Sequence, residues 1–454
     1  MPSSHRMRRQ PRPRASVLAA LRWFVVSYGL AVTGYVAINA MVSRWLGLDG
    51  FADFVIILTV ATGLGQLALV GVHRGGLREA AKLTESPDAE VLATLRAGVQ
   101  VAARGTLPAV GVLSGAVVYA VVGGNEVERI LLGVSCALLV VLNGLQKLWA
   151  NYLRGFGEIR LAGLLEGRSG GGLVSLCQAV AVLVIWVAFP GTGLVGALGA
   201  LIIGFTLPVL YGGHRVNLRW GHVQFESHFI SDLRTTVAAN WRFAVNHLGA
   251  FLGTNIELWL AGLLLASSQA SLFSAAQRIA LLLVIPLISA QVVFAPVCAR
   301  LLATGEIRRL QSVLRTGATV ALLVSAVLLT PILLAPDRVV ALVFGDTFEG
   351  AALPLLILSI SSVANVATGL SGIALTMSHR EGVAAAIQAA TVVAQVVVGV
   401  AAALVWGLNG LAVSATTFVT LNYVGQWIAV RRLLGLWTQP TFRPRFGDLR
   451  RAEG

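Results

Sequence analysis

The sequence predicts an all-α polytopic membrane protein of about twelve transmembrane helices in two six-helix lobes. Three observations predict it. The 454-residue chain is 56% hydrophobic and only 12% charged, with a mean hydropathy of +0.81, whereas soluble domains carry roughly 25% charged residues. The apolar residues come in long unbroken runs, most of them near the ~20 residues that cross a bilayer; a β-barrel would show short alternating segments instead. Its lysines and arginines fall mostly in the gaps between those runs, the positive-inside pattern.

Taken in order, the chain opens on a basic stretch, residues 1–16, read as a cytoplasmic tail. No small-residue cleavage site follows it, and the first apolar run is too long for a signal-peptide core. Six spans at about 17–43, 51–72, 101–122, 129–150, 165–189 and 193–213 make an N-lobe over 17–213. Residues 214–240 are polar and read as an amphipathic cytoplasmic linker at the midpoint of the chain. Six more spans, about 241–265, 271–299, 314–336, 350–377, 383–406 and 410–430, make a C-lobe over 241–432, and 433–454 reads as a second basic cytoplasmic tail.

Orientation follows from the gaps. One set holds Arg74, Arg78, Lys82 and Arg96; Arg154, Arg160 and Arg168; Arg215, Arg219 and Arg234; Arg300, Arg308 and Arg309; and Arg380. The alternate gaps hold Arg44, Arg129 and Arg338, and those at 190–192, 266–270 and 407–409 hold no cation. The alternation implies an even number of spans with both termini cytoplasmic. The net charge of +14 is spread through these gaps, so it points to a membrane and not to nucleic acid. Abundant glycine, 49 residues, suits closely packed membrane helices. Cys136, Cys177 and Cys298 each sit in an apolar run and read as small buried hydrophobes.

The chemistry-bearing stretch is 241–302, two apolar runs around a short polar break at 267–271. The first run carries Asn246, His247, Thr254, Asn255 and Glu257; the second carries Ser274, Gln277, Arg278 and Gln291. An acid and a base at that depth are costly and face a protein interior or a water-filled cavity by default. A weak internal repeat joins the halves. Arg22-Trp23-Phe24 opens span 1 as Trp241-Arg242-Phe243 opens span 7, and Phe54 and Phe273 fall early in spans 2 and 8. Both halves would start on the same side, a parallel repeat.

Residues 240–432 resemble the polysaccharide-transport branch (Wzx-like oligosaccharide flippases) of the multidrug/oligosaccharidyl-lipid/polysaccharide flippase superfamily. The resemblance rests on Asn255-Ile256-Glu257, then 270–278 (ASLFSAAQR), Pro286, Phe294-Ala295-Pro296 ahead of a charged stretch at 306–315, and Val343-Phe344-Gly345-Asp346-Thr347-Phe348 with Ala351-Ala352. Phe273 stands where the family pattern has tyrosine, and Glu257 where it has aspartate. Over 17–213 the span pattern carries the likeness. It implies a two-lobed transporter in the bacterial inner membrane that flips a polyprenyl-pyrophosphate-linked oligosaccharide for surface polysaccharide synthesis. Its partners would be that lipid-linked oligosaccharide, the bilayer and other membrane proteins of polysaccharide assembly.

Such a cargo has an anionic head, a polar sugar and an apolar tail, and arginine suits phosphate because its planar fork offers paired donors. The candidate substrate-binding residues are Arg22, Lys147, Arg242, Asn246 and Arg278. Arg22 and Arg242 serve equally as interfacial anchors, Lys147 as an anchor beside Asn143 and Gln146, and Asn246 with His247 as helix-packing residues. Glu257 and Arg278 admit two readings: a structural ion pair across the hairpin, or a site where Glu257 holds a coupling proton or sodium ion. Pro108, Pro286, Pro296 and Pro331 mark expected kinks. No Walker A, HExxH or paired Cys/His spacing occurs, so neither cofactor, metal nor catalytic residue is expected. Two alternatives remain: a multidrug or organic-cation antiporter of the same superfamily, and an integral-membrane glycan polymerase or ligase. The short outer loops, the longest about 336–350, count against the latter.

Overall fold

The computed structural model describes residues 17–83, 89–166, 171–218 and 229–443, and among these it is helical with no strand. The first half comprises α1 (Val17–Ala68), α2 (Val72–Leu83), α3 (Ala89–Gln100), a π-helical turn (Val101–Thr106), α4 (Leu107–Val121), α5 (Glu126–Gly155), α6 (Ile159–Leu165), α7 (Gly172–Ala188) and α8 (Gly193–Asn217). The second comprises α9 (Phe229–Leu264), α10 (Ser267–Leu282), α11 (Ile285–Ala303), α12 (Ile307–Leu334), α13 (Pro336–Phe344), α14 (Ala352–Thr368), α15 (Ser371–Met377) and α16 (Glu381–Leu434).

Seven helical segments are long and apolar enough to span a membrane, and α10 with the start of α11 forms an eighth, bent by 48°. Two of the seven are double. The backbone breaks at Gly47 in α1 (φ 66°, ψ −166°) and at Gly407 in α16 (φ 57°, ψ −138°), positions that favour glycine because a Cβ would be strained there. Splitting both helices adds two spans. The shorter apolar helices Gly172–Ala188 and Phe251–Leu264 add two more, twelve in all among the described residues.

Where the elements differ from the sequence reading, the cause is that hydropathy marks the apolar part of a helix and not its ends. α9 begins well before its apolar run, and residues 229–240 of the expected linker belong to it. The expected span at 165–189 starts only at Gly172. The expected tail at 1–16 and residues 219–228 of the linker lie outside the described residues. Residues 435–441 do not extend away as a tail. Thr438, fully buried, donates to the Thr368 carbonyl at 2.8 Å, the Trp437 backbone donates to Gln311 at 3.1 Å, and the Arg431 guanidinium lies 3.5 Å from the Trp437 ring centroid. This strap ties α12, α14 and α16 together.

Packing follows small residues. Gly115 of α4 and Gly133 of α5 face each other so closely that a Cβ on either would come within 2.7 Å of the other's carbonyl oxygen. Lipid tails are as apolar as leucine, so close backbone approach of this kind holds membrane helices together. α5 packs on α1, α4 and α8, and α7 on α1 and α8; in the second half α16 packs on α9, α14 and α15. The halves meet through α1 against α9, α10 and α13, and α2 against α9.

The junction is tightest on the face that carries the Gly47 turn. Arg44 donates to the carbonyls of Val343 and Leu342 at 2.6 and 2.8 Å, and Ser43 to that of Phe344 at 3.0 Å. Ser271 donates to the Leu48 carbonyl. Beneath them Phe51 is fully buried, with edge-on contacts to Phe344 and Phe348 at centroid distances of 5.6 and 5.5 Å.

Candidate functional site: a polar cavity between the halves

Below the Phe51 cluster lies a cavity of about 420 Å³. Its walls come from both halves. α1 supplies Tyr28, Tyr35, Asn39, Thr59 and Thr62; α5 supplies Asn143, Gln146 and Lys147; the α6–α7 connection and α7 supply Glu166 and Gln178; α9 and α10 supply Thr254, Asn255, Gln277 and Arg278. Side chains of this polarity are expensive against lipid, so a membrane helix places them towards a protein interior or water.

Two of the sequence-predicted cations meet here. Lys147 lines the cavity. Its Nζ lies 3.0 Å from Glu166 Oε1, and Arg154 Nη1 lies 3.0 Å from Glu166 Oε2. Asn151 also donates to Glu166, at 3.2 Å. Glu166 is thus a resident counter-anion gripped by two cations. Arg278 enters from the other half. Its Nη1 donates to the Tyr35 hydroxyl at 2.5 Å, its guanidinium lies 5.2 Å from the Tyr35 ring centroid, and its Nε is buried without a hydrogen-bond partner.

The expected Glu257–Arg278 ion pair does not form in this conformation. Glu257, only 5% exposed, accepts from Gln395 Nε2 at 2.8 Å and from Gln277 Nε2 at 3.2 Å. Both carboxylate oxygens are therefore held by neutral amides from α10 and α16, and among the described residues no cation pairs with it. The cause is register: Gln277, one residue before Arg278, occupies the position facing α9, which turns Arg278 towards α1. The remaining candidates Arg22, Arg242 and Asn246, with His247, have side chains outside the described residues.

Sequence reasoning missed Glu166, Tyr35 and Gln395. Glu166 was findable as one of the few acids beside a span in a chain with 20 aspartates and glutamates against 34 lysines and arginines. Tyr35 and Gln395 carry no such signal, because nothing in their local pattern says which face of the helix turns inward.

The same architecture occurs in solved transporters. The inward-facing conformation of a multidrug resistance MATE family transporter of the MOP superfamily superimposes with TM-score 0.66 at 16% identity, over 92% of this chain and 98% of that one. The outward-facing conformation of a multidrug resistance MATE family transporter gives 0.57 at 17% identity, over 93% and 97%. A MOP superfamily transporter from Pyrococcus furiosus, described as having a binding pocket of reversed polarity that suggests a different function, gives 0.56 at 15% identity, over 93% and 97%. No protein-family model and no curated protein matches the sequence. The chain therefore shares the MATE-type fold, an all-helical membrane architecture.

Proposed function

We propose that this protein is a membrane transporter working by alternating access, and that its cargo carries an anionic head: a polyprenyl-pyrophosphate-linked oligosaccharide flipped across the inner membrane. One observation carries the reading: Lys147 from one half and Arg278 from the other converge on a single cavity whose polar lining is otherwise amides, hydroxyls and one carboxylate, beside apolar residues such as Phe54, Leu58 and Leu258. Fixed cations suit pyrophosphate, and amides and hydroxyls suit a sugar. The closed Gly47 face supports a state open towards the other side, which the positive-inside pattern makes the cytoplasm. The higher structural score against the inward-facing neighbour agrees with this.

The second reading, a multidrug or organic-cation antiporter, is favoured by Glu257. A buried carboxylate held only by amides is built to take a proton or a small cation, and the neighbours above are described as multidrug transporters. The cavity charges separate the two readings, because two lining cations repel an organic cation and attract a pyrophosphate.

The experiment is glycan export in cells with Lys147→Ala, Arg278→Ala and the double variant, each checked for membrane level. Export falls in both single variants and is lost in the double variant, while Arg278→Lys restores part of it because an ammonium lacks the guanidinium fork. Full export by the double variant at normal level sinks the anionic-cargo reading. Retained drug efflux with no effect on glycan would establish the antiporter.

A further inference from the structure

A second pocket, of about 200 Å³, lies outside the central cavity and shares no lining residue with it. Arg96 and Gln100 from α3, Arg104 from the π turn, Trp149 from α5 and Asn217 from the end of α8 wall it, and among the described residues no carboxylate lines it.

Backbone geometry assembles this group. Arg96, Gln100 and Arg104 are spaced four apart. In an unbroken α-helix, turning about 100° per residue, Arg104 would stand about 80° round from Arg96. The π turn at Val101–Thr106 holds about one more residue per turn, which brings Arg104 back to roughly the azimuth of Arg96. Pro108 accounts for the turn. It has no N–H to give the Arg104 carbonyl, and its ring crowds that carbonyl; the Leu107 N–H instead reaches back five residues to Ala102. π turns of this kind are found often at functional sites.

The surroundings indicate what fills the pocket. Arg104 is exposed, and two turns further along α4 Val112 and Leu113 are 70% and 66% exposed. Outward-facing residues of that kind on a spanning helix meet lipid tails. The pocket therefore sits where the apolar face of α4 gives way to the head-group region. Basic pockets between helices at this depth suit lipid phosphates.

We propose that this pocket binds the phosphate of an anionic membrane lipid, with Arg96 and Arg104 as its charged donors and Gln100 and Asn217 as its polar ones. The inference is independent of what the central cavity carries. A soluble phosphate has the same head chemistry, and the apolar face of α4 is what favours the lipid.

The purified full-length protein is titrated with phosphatidylglycerol, with phosphatidylcholine and with inorganic phosphate, and bound molecules are counted by native mass spectrometry. The parent protein retains phosphatidylglycerol in preference to phosphatidylcholine. Arg104→Gln weakens that retention about tenfold, the size of one lost charge-assisted hydrogen bond. Pro108→Ala, which removes no charge but lets the helix run straight, weakens it as well. Both variants are compared with the parent by thermal unfolding; Arg104 is exposed, so its replacement leaves the fold intact. Undiminished preference for phosphatidylglycerol in Arg104→Gln, or in a folded Pro108→Ala, overturns the proposal. So does binding of inorganic phosphate without phosphatidylglycerol.

Discussion

Phe51→Ala should open the face that carries the Gly47 turn. Phe51 belongs to the first half, and its edge-on partners Phe344 and Phe348 belong to the second. Each aromatic pair is worth about 0.5–1.5 kcal/mol beyond area burial, so losing both costs the closed junction about 1–3 kcal/mol, or roughly 5–150-fold in the open-to-closed ratio. Its neighbour Phe54, stacked at 6.5 Å, lies in the same half and moves with it, so that contact does not count towards the opening. Spin labels at Gly191 and Glu349, in a background with the three native cysteines replaced, report the distance across this face. The variant should gain a longer-distance population, and Phe51→Leu, which keeps bulk, should gain less. A distance distribution unchanged from the parent, in a protein that still unfolds at the parent's temperature, would refute the view that this cluster holds the halves together.

Two further predictions concern orientation and coupling. Reporter fusions at Gly191 and Asn409 should read outside, and those after Gly221 and Gly447 inside; an outside reading after Gly221 would overturn the two-halves topology. Glu257→Gln leaves one of the Gln277 and Gln395 amides without its acceptor, a cost of about 1–3 kcal/mol, so the protein should remain folded at slightly lower stability, while transport in proteoliposomes stops responding to an imposed proton or sodium gradient. An unaltered gradient response would remove Glu257 from the coupling role.

Much of this architecture is legible in the sequence because membrane insertion imposes one dominant constraint. Every backbone polar group in the hydrocarbon must be paired within its own helix, so apolar run length reads out directly as a span. The tight turns at Gly47 and Gly407 fall in cation-poor gaps, in keeping with the positive-inside pattern. The cavity is less legible. Lys147 and Arg278 stand out because charge in an apolar run is rare, but their partners depend on helix rotation. Gln277 and Arg278 are adjacent, and a step of about 100° sends one to Glu257 and the other to Tyr35. Hydropathy gives all four residues a depth and none of them an azimuth. The expected Glu257–Arg278 pair came from depth alone, which is why the structure replaces it with two separate contacts.

That separation has a consequence for transport. Lys147 and Arg278 each have a partner on the protein. Lys147 holds Glu166 within the first half, and Arg278 holds Tyr35 across the halves. A pyrophosphate cargo of the kind proposed would compete with Glu166 for Lys147, and the same anion would draw Arg278 from a phenol, a weaker acceptor than phosphate. Its gain is therefore greater on the side of Arg278. An anion contacting both cations would link the two halves through the cargo, in place of the Arg278–Tyr35 contact. A ligand shifts a conformational equilibrium only by its differential affinity for the two states. Contact with both cations at once supplies that difference, since it is available only when the halves stand close enough for one head group to reach Lys147 and Arg278 together.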